Sequence, residues 1–332
     1  MPSSLRSLAG LCAAALFAAG AAHAQVQTIK LSFELPVTHN FNKAAQMVAD
    51  NVAKRSGGQV KIELYPAGQL AKDSTFIKTI NSGGIDAGLS PTLYWTGVMP
   101  IAGILDVPYV ITTHAQAQRV LAGPVGAKLL AELDRFNLVG LGYFNYGFGI
   151  YGNNKRELKK PDDFKGLKIR TNNDIGAKLL QAFGASPVFM SGSEVFLALE
   201  RGTVDGAHTG MSSIIERKMF GAMKYVTIDN HNSIPYFFVI RKAVYEKLSP
   251  ANQKILAEAV QEAAAWASKV QEQDDAEGVK TLRANGVTVT ELSPAEVKVW
   301  QAAAAPAREF WLSKAGPDGA ELLKLMEKEA AQ

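Results

Sequence analysis

Cysteine is almost absent from this chain. The single cysteine among 332 residues is Cys12, within the apolar stretch near the start of the sequence. We expect a mature chain that has no disulfide, no thiol nucleophile and no thiolate metal site. Its stability must then come from packing, and a chain of this length can bury a sizeable core without covalent cross-links.

Long apolar runs are also scarce, and the one that stands out is at the start. Arg6 precedes an apolar stretch over residues 8–22, and Ala22-His23-Ala24 has the A-x-A form of a cleavage site. This pattern predicts a secretory signal peptide over residues 1–24, a mature chain beginning at Gln25 and a periplasmic location. A membrane anchor is the alternative, but the stretch is short for a span and ends in small, cleavable residues.

The sequence has no excess of one charge that would indicate a polyanionic partner. The formal net charge is +4, and Lys and Arg alternate with Asp and Glu, as in residues 155–160. A basic stripe is lacking, so we expect no nucleic-acid partner.

Motifs of known enzymes are missing as well. The sequence contains no G-x-S-x-G, no P-loop, no H-E-x-x-H and no G-x-G-x-x-G after a strand. The histidines do not cluster at ligand spacing, and the adjacent acids Asp162-Asp163 and Asp274-Asp275 cannot converge on one substrate. We therefore predict no catalytic residue, no metal site and no cofactor, which favours binding over catalysis.

What is present is a repeated alternation of strand and helix patterns, typical of α/β lobes. The first half predicts strands over 28–34, 60–65 and 85–89, with helices over 43–55 and from 76. The second half predicts strands over 167–171 and 204–207, with helices over 174–183 and 191–202. Residues 79–88 align without gaps on residues 198–207, a weak echo that two lobes of similar build would produce.

The last third of the sequence is mostly helical. Ser249-Pro250 begins a helical pattern that runs to about residue 285, either a surface helix of one lobe or a strut across both. A strand follows over 287–292, and Ser293 to Glu296 forms a capping box that begins a C-terminal helix carrying Trp300, Phe310 and Trp311. These aromatic residues suit a core or a dimer contact equally, and we favour a monomer.

One group of motifs resembles a known family. These are Lys165 to Arg170, Gly184-Ala185-Ser186-Pro187, Ser193-Glu194-Val195, Ala198-Leu199, Val204-Asp205-Gly206, Ser56-Gly57-Gly58, the 66–70 segment, Val107-Pro108-Tyr109 and Asn153 to Arg156. In this order and spacing they resemble the substrate-binding proteins of tripartite ATP-independent periplasmic (TRAP) transporters, over nearly the whole mature chain.

The resemblance implies an α/β, two-lobed periplasmic binding protein fold, in which each lobe is a mixed β-sheet flanked by helices and a long helix spans the lobes. It places lobe I at 25–147 plus about 236–275 and lobe II at about 148–235 plus 276–332, with the ligand cleft between them. It also implies hinge closure and delivery of a small carboxylate to a permease with a small and a large subunit. The resemblance makes Arg170 the carboxylate clamp. The residues agree, because Arg170 ends a predicted strand and its planar fork matches a carboxylate.

Three positions depart from the family pattern. Gly149 stands where many members carry a second arginine, and Gly192 where an aromatic residue is common. After Val204-Asp205-Gly206 the family's acid, asparagine and proline are replaced by His208, Thr209 and Gly210. Two glycines in place of large side chains predict space, and about half of the aromatic residues Phe148, Phe189, Tyr146, Tyr94 and Trp95 are expected to line it. We therefore expect a monocarboxylate with a bulky apolar or aromatic tail.

Further candidate ligand contacts follow from position, and each is equally compatible with a turn or the core. His208 is a candidate for a ligand hydrogen bond or for pH-dependent binding. The other candidates are Asn40, Ser90, Tyr94, Trp95, Phe148, Asn172, Phe189, Met190, Thr209 and Tyr236. Two other functional classes stay open from the sequence: a periplasmic enzyme acting on a small carboxylate, and the ligand-binding module of a sensor system.

Overall fold

The structure is a computed structural model that describes residues 26–332. The predicted signal peptide, its cleavage site and Cys12 therefore lie outside the described residues. Within residues 26–332, no helix has both the length and the apolar character needed to cross a membrane.

The strands form two mixed sheets. They are β1 Gln27–Ser32, β2 Val60–Tyr65, β3 Ala87–Pro91, β4 Leu138–Phe148, β5 Ile150–Asn153, β6 Lys168–Thr171, β7 Ser186–Phe189, β8 Gly206–Thr209, β9 Tyr225–Ile228, β10 Ser233–Arg241 and β11 Thr288–Glu291. The first sheet has the order β2-β1-β3-β10-β4 and the second has the order β11-β9-β5-β8-β6-β7. The chain passes from the first sheet to the second between β4 and β5, and it returns between β9 and β10.

Helices flank both sheets. They are α1 Asn40–Arg55, α2 Phe76–Asn81, α3 His114–Ala122, α4 Pro124–Glu132, α5 Asp174–Ala182, α6 Val195–Glu200, α7 Met211–Glu216, α8 Lys242–Tyr245, α9 Pro250–Ala284, α10 Pro294–Ala303, α11 Ala305–Lys314 and α12 Gly319–Ala331. Helix α1 begins three residues before its predicted start because the His39 side chain accepts the backbone N–H of Phe41 and caps the helix.

The internal echo in the sequence corresponds to a repeated structural unit. In the first lobe a 3-10 turn at Asp73–Thr75 leads into α2 and then β3. In the second lobe a 3-10 turn at Gly192–Glu194 leads into α6 and then β8. Because the two units align without a gap, Asp73 and Gly192 occupy equivalent places in the two lobes.

Helix α9 is a strut across both sheets rather than a surface helix of one lobe. It packs on α1 and β4 beside the first sheet and on α7 and β11 beside the second. Its buried face is lined by small and apolar residues, which lets the neighbouring elements approach closely: Leu256, Ala259, Val260, Ala263, Ala264, Ala267, Gly278 and Leu282. The fold class predicted from the sequence is confirmed, whereas the residue bounds of the two lobes stay a prediction.

The predicted single C-terminal helix is wrong in one respect. It breaks at Ala304, where α10 ends and α11 begins with Pro306 in its first turn. Proline has no N–H to donate and clashes with the preceding turn, so the helix cannot continue through this point. Trp300 and Trp311 are fully buried in the core of the chain, and their indole N–H groups donate to the carbonyls of Lys159 and Pro100.

Candidate functional site

Arg170 lies at the carboxyl end of β6, in the middle of three parallel strands. Strand β6 pairs with β7 on one side and with β8 on the other. The carboxyl ends of all three strands therefore meet at one edge of the second sheet, where α/β proteins bind their ligands. Arg170 is 3% exposed.

Backbone carbonyls hold the Arg170 guanidinium in place. Its Nε and Nη2 donate to the carbonyl of Met190 at 3.0 and 2.9 Å, and its Nη1 donates to the carbonyl of His208 at 2.9 Å. Nη2 also donates to the hydroxyl of Tyr94 at 3.1 Å. Tyr94 belongs to the first lobe, so this last hydrogen bond crosses the cleft.

All of these partners are neutral, and the positive charge of Arg170 is left without a counter-ion. Among residues 26–332, no carboxylate lies within ion-pair distance of this guanidinium. A buried charge is costly unless it is paired. The arrangement thus fixes a cation in a cleft, where an anionic ligand would complete the pair.

A cavity of about 30 Å³ adjoins Arg170 between the two sheets. Its wall combines tyrosine hydroxyls, two arginines and one acid with short apolar surfaces. The lining residues are Leu35, Asp73, Pro91, Leu93, Tyr94, Tyr146, Arg170, Asn172, Gly192, Thr209, Gly210, Ser213, Arg217, Ile234 and Tyr236.

Several residues predicted from the sequence lie in this wall, namely Arg170, Tyr94, Asn172, Gly192, Thr209 and Tyr236. Met190 contributes its backbone carbonyl to Arg170. Burial raises the pKa of the Tyr94 phenol, so Tyr94 presents a neutral hydroxyl to the cleft. The structure thus brings together the strand-end residues of both lobes.

Other predicted residues lie away from the cavity. The side-chain amide of Asn40, at the start of α1, donates to Gln271 and Asp274 on α9. The indole of Trp95 is fully buried in the core and donates to the Ser90 hydroxyl. These three side chains therefore bond to the protein itself and do not line the cavity.

Phe148 and Phe189 are also outside the cavity wall. The ring of Phe148 packs edge-on against His114, with ring centroids 5.0 Å apart. Phe189 ends β7 with 55% of its surface exposed. Of the aromatic residues expected around a bulky ligand tail, Tyr94 and Tyr146 line the cavity, whereas Phe148, Phe189 and Trp95 do not.

The space predicted at Gly149 does not exist. A Cβ at this position would lie 2.1 Å from both Asn232 Oδ1 and His208 Nε2. Gly149 therefore makes room for those side chains and leaves none for a ligand. At Gly192 the prediction of space agrees with the structure, since the nearest atoms to a Cβ there are 3.8 and 3.9 Å away.

His208 is a buried member of a polar network and does not face the cavity with its ring. Its Nε2 lies 3.2 Å from Asn232 Oδ1, and Asn232 in turn donates to Asp106. Burial, aided by the neighbouring His231 and Arg170, holds the pKa of His208 well below its usual range. The ring is therefore neutral across the physiological range, which argues against a pH-dependent ligand contact by His208.

Two charged residues of the cavity, Arg217 and Asp73, were not predicted from the sequence. Arg217 follows α7, which lies directly after β8, and Asp73 begins the 3-10 turn beyond β2. Burial and the nearby Glu34 raise the pKa of Asp73 well above its usual range, although Arg217 and Arg170 oppose the shift. A charged residue in a segment that follows the carboxyl end of a strand was the available signal for both.

The two equivalent 3-10 turns meet across the mouth of the cleft, together with Glu34 after β1. The Glu34 carboxylate accepts the backbone N–H of Asp73 in its own lobe and that of Ser193, at 2.7 Å, in the other lobe. The hydroxyls of Ser74 and Ser191 lie 2.8 Å apart, and Lys72 pairs with Glu194 at 2.9 Å. These hydrogen bonds and the ion pair join the two lobes at the edge of the cleft. Together, residues 34, 72–74 and 191–194 are called the rim contact.

A family comparison decides which class of protein carries this site. The model of the bacterial extracellular solute-binding protein family 7 matches residues 31–314. The chain belongs to this family. The resemblance to TRAP solute-binding proteins and the prediction of a binding protein rather than an enzyme are thereby confirmed.

Individual relatives cover nearly the whole chain. The 2,3-diketo-L-gulonate-binding periplasmic protein of Escherichia coli (strain K12) is 30% identical over 320 residues, which cover 95% of this chain and 97% of the relative. A TRAP periplasmic solute-binding protein from Ralstonia eutropha H16, with bound (S)-2-acetolactate, is 27% identical with a TM-score of 0.87 and covers 92% of this chain and 99% of its own. The sugar acid binding protein of Advenella mimigardefordensis strain DPN7T, in complex with galactonate, is 28% identical with a TM-score of 0.87, covering 92% and 98%.

Proposed function

We propose that this protein is the periplasmic receptor of a TRAP transporter and captures a small monocarboxylate between its two lobes. The observation that carries the proposal is the buried Arg170, whose guanidinium has neutral partners only and faces the cavity. A ligand carboxylate would supply the missing counter-charge through short, charge-assisted hydrogen bonds. Closure of the lobes would exclude water and strengthen that contact.

The charges of the cleft favour one carboxylate over two. Arg170 and Arg217 bring two guanidinium groups to the cavity, and the Glu34 side chain accepts two backbone N–H groups at its edge. Burial and Glu34 raise the pKa of Asp73, which disfavours a further negative charge there. A monocarboxylate adds one charge to be paired in this desolvated site, whereas a dicarboxylate adds a second one near the acids Asp73 and Glu34.

The structure changes the expectation for the ligand's tail. A bulky apolar or aromatic tail required space at Gly149, which is absent, and of the aromatic residues expected around it only Tyr94 and Tyr146 line the cavity. The cavity of about 30 Å³ is only a few times the roughly 10–15 Å³ that one water needs. A short acid with polar substituents fits this wall better. The ligands named for the three relatives above agree, since each is a monocarboxylate that bears hydroxyl or oxo groups.

Delivery to a permease and export complete the proposal. Membership of the family implies a membrane partner with a small and a large subunit, which would recognise the closed, loaded receptor. The signal pattern of residues 1–24 supports export to the periplasm, where the relative from Escherichia coli is named to reside.

A thermal-shift screen of the purified protein tests the ligand class. The panel holds short hydroxy and oxo monocarboxylates, unsubstituted monocarboxylates, aromatic monocarboxylates, C4 dicarboxylates and sugar acids. A ligand at about a hundredfold its Kd should add roughly 2.7 kcal/mol to the stability. We expect shifts from polar monocarboxylates. A shift confined to dicarboxylates would overturn the monocarboxylate proposal, and a shift confined to aromatic acids would restore the bulky-tail hypothesis. Silence across the panel would contradict carboxylate capture.

A further inference from the structure

A second arginine, Arg217, lines the ligand cavity next to Gly192. Arg217 lies in the cavity wall, where its Nη2 donates weakly to the Glu34 carbonyl at 3.4 Å. Its Nε is buried without a hydrogen-bonding partner in the described chain. This side chain therefore keeps donor capacity that the closed protein does not use.

Two acceptors in the same wall are also unpartnered. Asp73 Oδ1 and Asn172 Oδ1 are buried, and neither has a hydrogen-bonding partner among the described residues. Asp73 is 8% exposed. Leaving buried polar atoms unsatisfied destabilises a protein, so a wall with donors and acceptors in excess is suited to a ligand that supplies both.

Gly192 makes this group accessible. The nearest atoms to a Cβ at this position are Arg217 Nη2 at 3.8 Å and Glu34 Oε1 at 3.9 Å. A large side chain here would extend into the space beside Arg217 and cover it. The glycine thus leaves the second arginine uncovered in the cavity that Arg170 also lines.

We propose that Arg217 and Asp73 form a second subsite that binds the hydroxyl groups of the ligand's tail, with Arg217 as the residue that determines specificity. The inference rests on the proposed carboxylate-binding function and deepens it. A hydroxyl group donates one hydrogen bond and accepts others, so one hydroxyl serves both the arginine donors and the acid's oxygen. A second carboxylate would only accept, and an alkyl tail would leave every one of these groups unpaired. The ligand class is therefore a short polyhydroxylated monocarboxylate.

The test uses three acids of equal chain length: 2,3,4-trihydroxybutanoate, butanoate and succinate. Calorimetric titration measures Kd for the wild-type protein, Arg217→Gln and the exposed control Arg201→Gln. We expect wild type to prefer trihydroxybutanoate over butanoate and succinate. Arg217→Gln should weaken trihydroxybutanoate binding about tenfold to a hundredfold, with less than about threefold change for butanoate. Arg201→Gln should match wild type, because Arg201 is exposed at the end of α6.

A second variant keeps the test decisive if Arg217→Gln folds poorly. A Cβ at Gly192 has no atom closer than 3.8 Å, so the ring in Gly192→Phe should extend beside Arg217 and cover it, and the preference for trihydroxybutanoate over butanoate, measured as the ratio of the two Kd values, should fall toward one. Equal losses for both acids, or no loss in either variant, would overturn the subsite. Tight binding of butanoate or succinate by wild type, with no preference for hydroxyls, would overturn it while leaving the receptor function intact. A wild-type protein that binds no carboxylate would instead refute the receptor function, and the subsite with it.

Discussion

At the scale of single residues, the site joins side chains that lie far apart in the sequence. Arg170 could be predicted because a strand-end arginine and a family motif coincide in one short segment. Arg217 and Asp73 could not be assigned in the same way, because each faces the cavity only after the two lobes have packed. The prediction of ligand space at Gly149 is wrong for the same reason. The space beside it is filled by His208 and Asn232, which come from other strands and loops.

The two cleft glycines therefore predict opposite outcomes for the same substitution. In Gly149→Ala the new methyl group would lie 2.1 Å from two buried side chains, so we expect destabilisation by about 1–3 kcal/mol. In Gly192→Ala the nearest atom is 3.8 Å away, and the change should stay within about 0.5 kcal/mol. Denaturant titration of both variants measures the difference. Equal stabilities would show that the packing around Gly149 is wrong.

Asp106 makes stability depend on pH. Burial raises its pKa to about 6, although hydrogen bonds from Asn232 and Asn173 oppose the shift. The folded protein then holds a proton between about pH 4 and 6 that the unfolded chain has released. The folded state therefore loses stability as pH rises through this window, on the order of 3 kcal/mol. Asp106→Asn should remove this part of the pH dependence in denaturant titrations at pH 4, 5, 6 and 7. An unchanged pH profile would contradict the assignment.

At the scale of elements, the sequence periodicity placed most strands and helices but not the contacts between them. The gap-free echo between the two halves is real: a 3-10 turn, a helix and a strand recur in each lobe. What the echo did not reveal is that the two 3-10 turns meet across the cleft. That contact depends on how the lobes close, which local patterns do not encode. The break at Ala304, in contrast, has a local cause in the sequence, because Pro306 cannot continue a helix.

The rim contact should control how long a ligand stays bound. In Glu34→Gln an amide replaces a carboxylate that accepts N–H groups from both lobes, so the closed state loses a charge-assisted bridge. We expect ligand dissociation to become about tenfold faster or more, measured by stopped-flow displacement. Lys72→Gln is the matched control, because its pair with Glu194 is half exposed and contributes roughly 0–1 kcal/mol. A larger effect from Lys72→Gln than from Glu34→Gln would refute this role of Glu34.

At the scale of the whole molecule, the fold places the proposed anchor Arg170 between the two lobes. Two sheets present strand ends toward one cavity, and α9 contacts both while the chain crosses between them at β4–β5 and β9–β10. On the proposed mechanism, the lobes separate about these links to admit a ligand and then close around it. In this form the buried guanidinium of Arg170 has neutral partners only, so the site favours an anionic ligand.

The most direct test of this account is a calorimetric titration of wild type and Arg170→Gln with the polar monocarboxylate that gives the largest thermal shift. We expect Arg170→Gln to weaken binding by about a hundredfold or to abolish it, because the ligand carboxylate would be buried without its charged partner. The Arg201→Gln control should bind as wild type does. Unchanged affinity in Arg170→Gln would contradict the claim that this protein captures its ligand by a carboxylate held at Arg170.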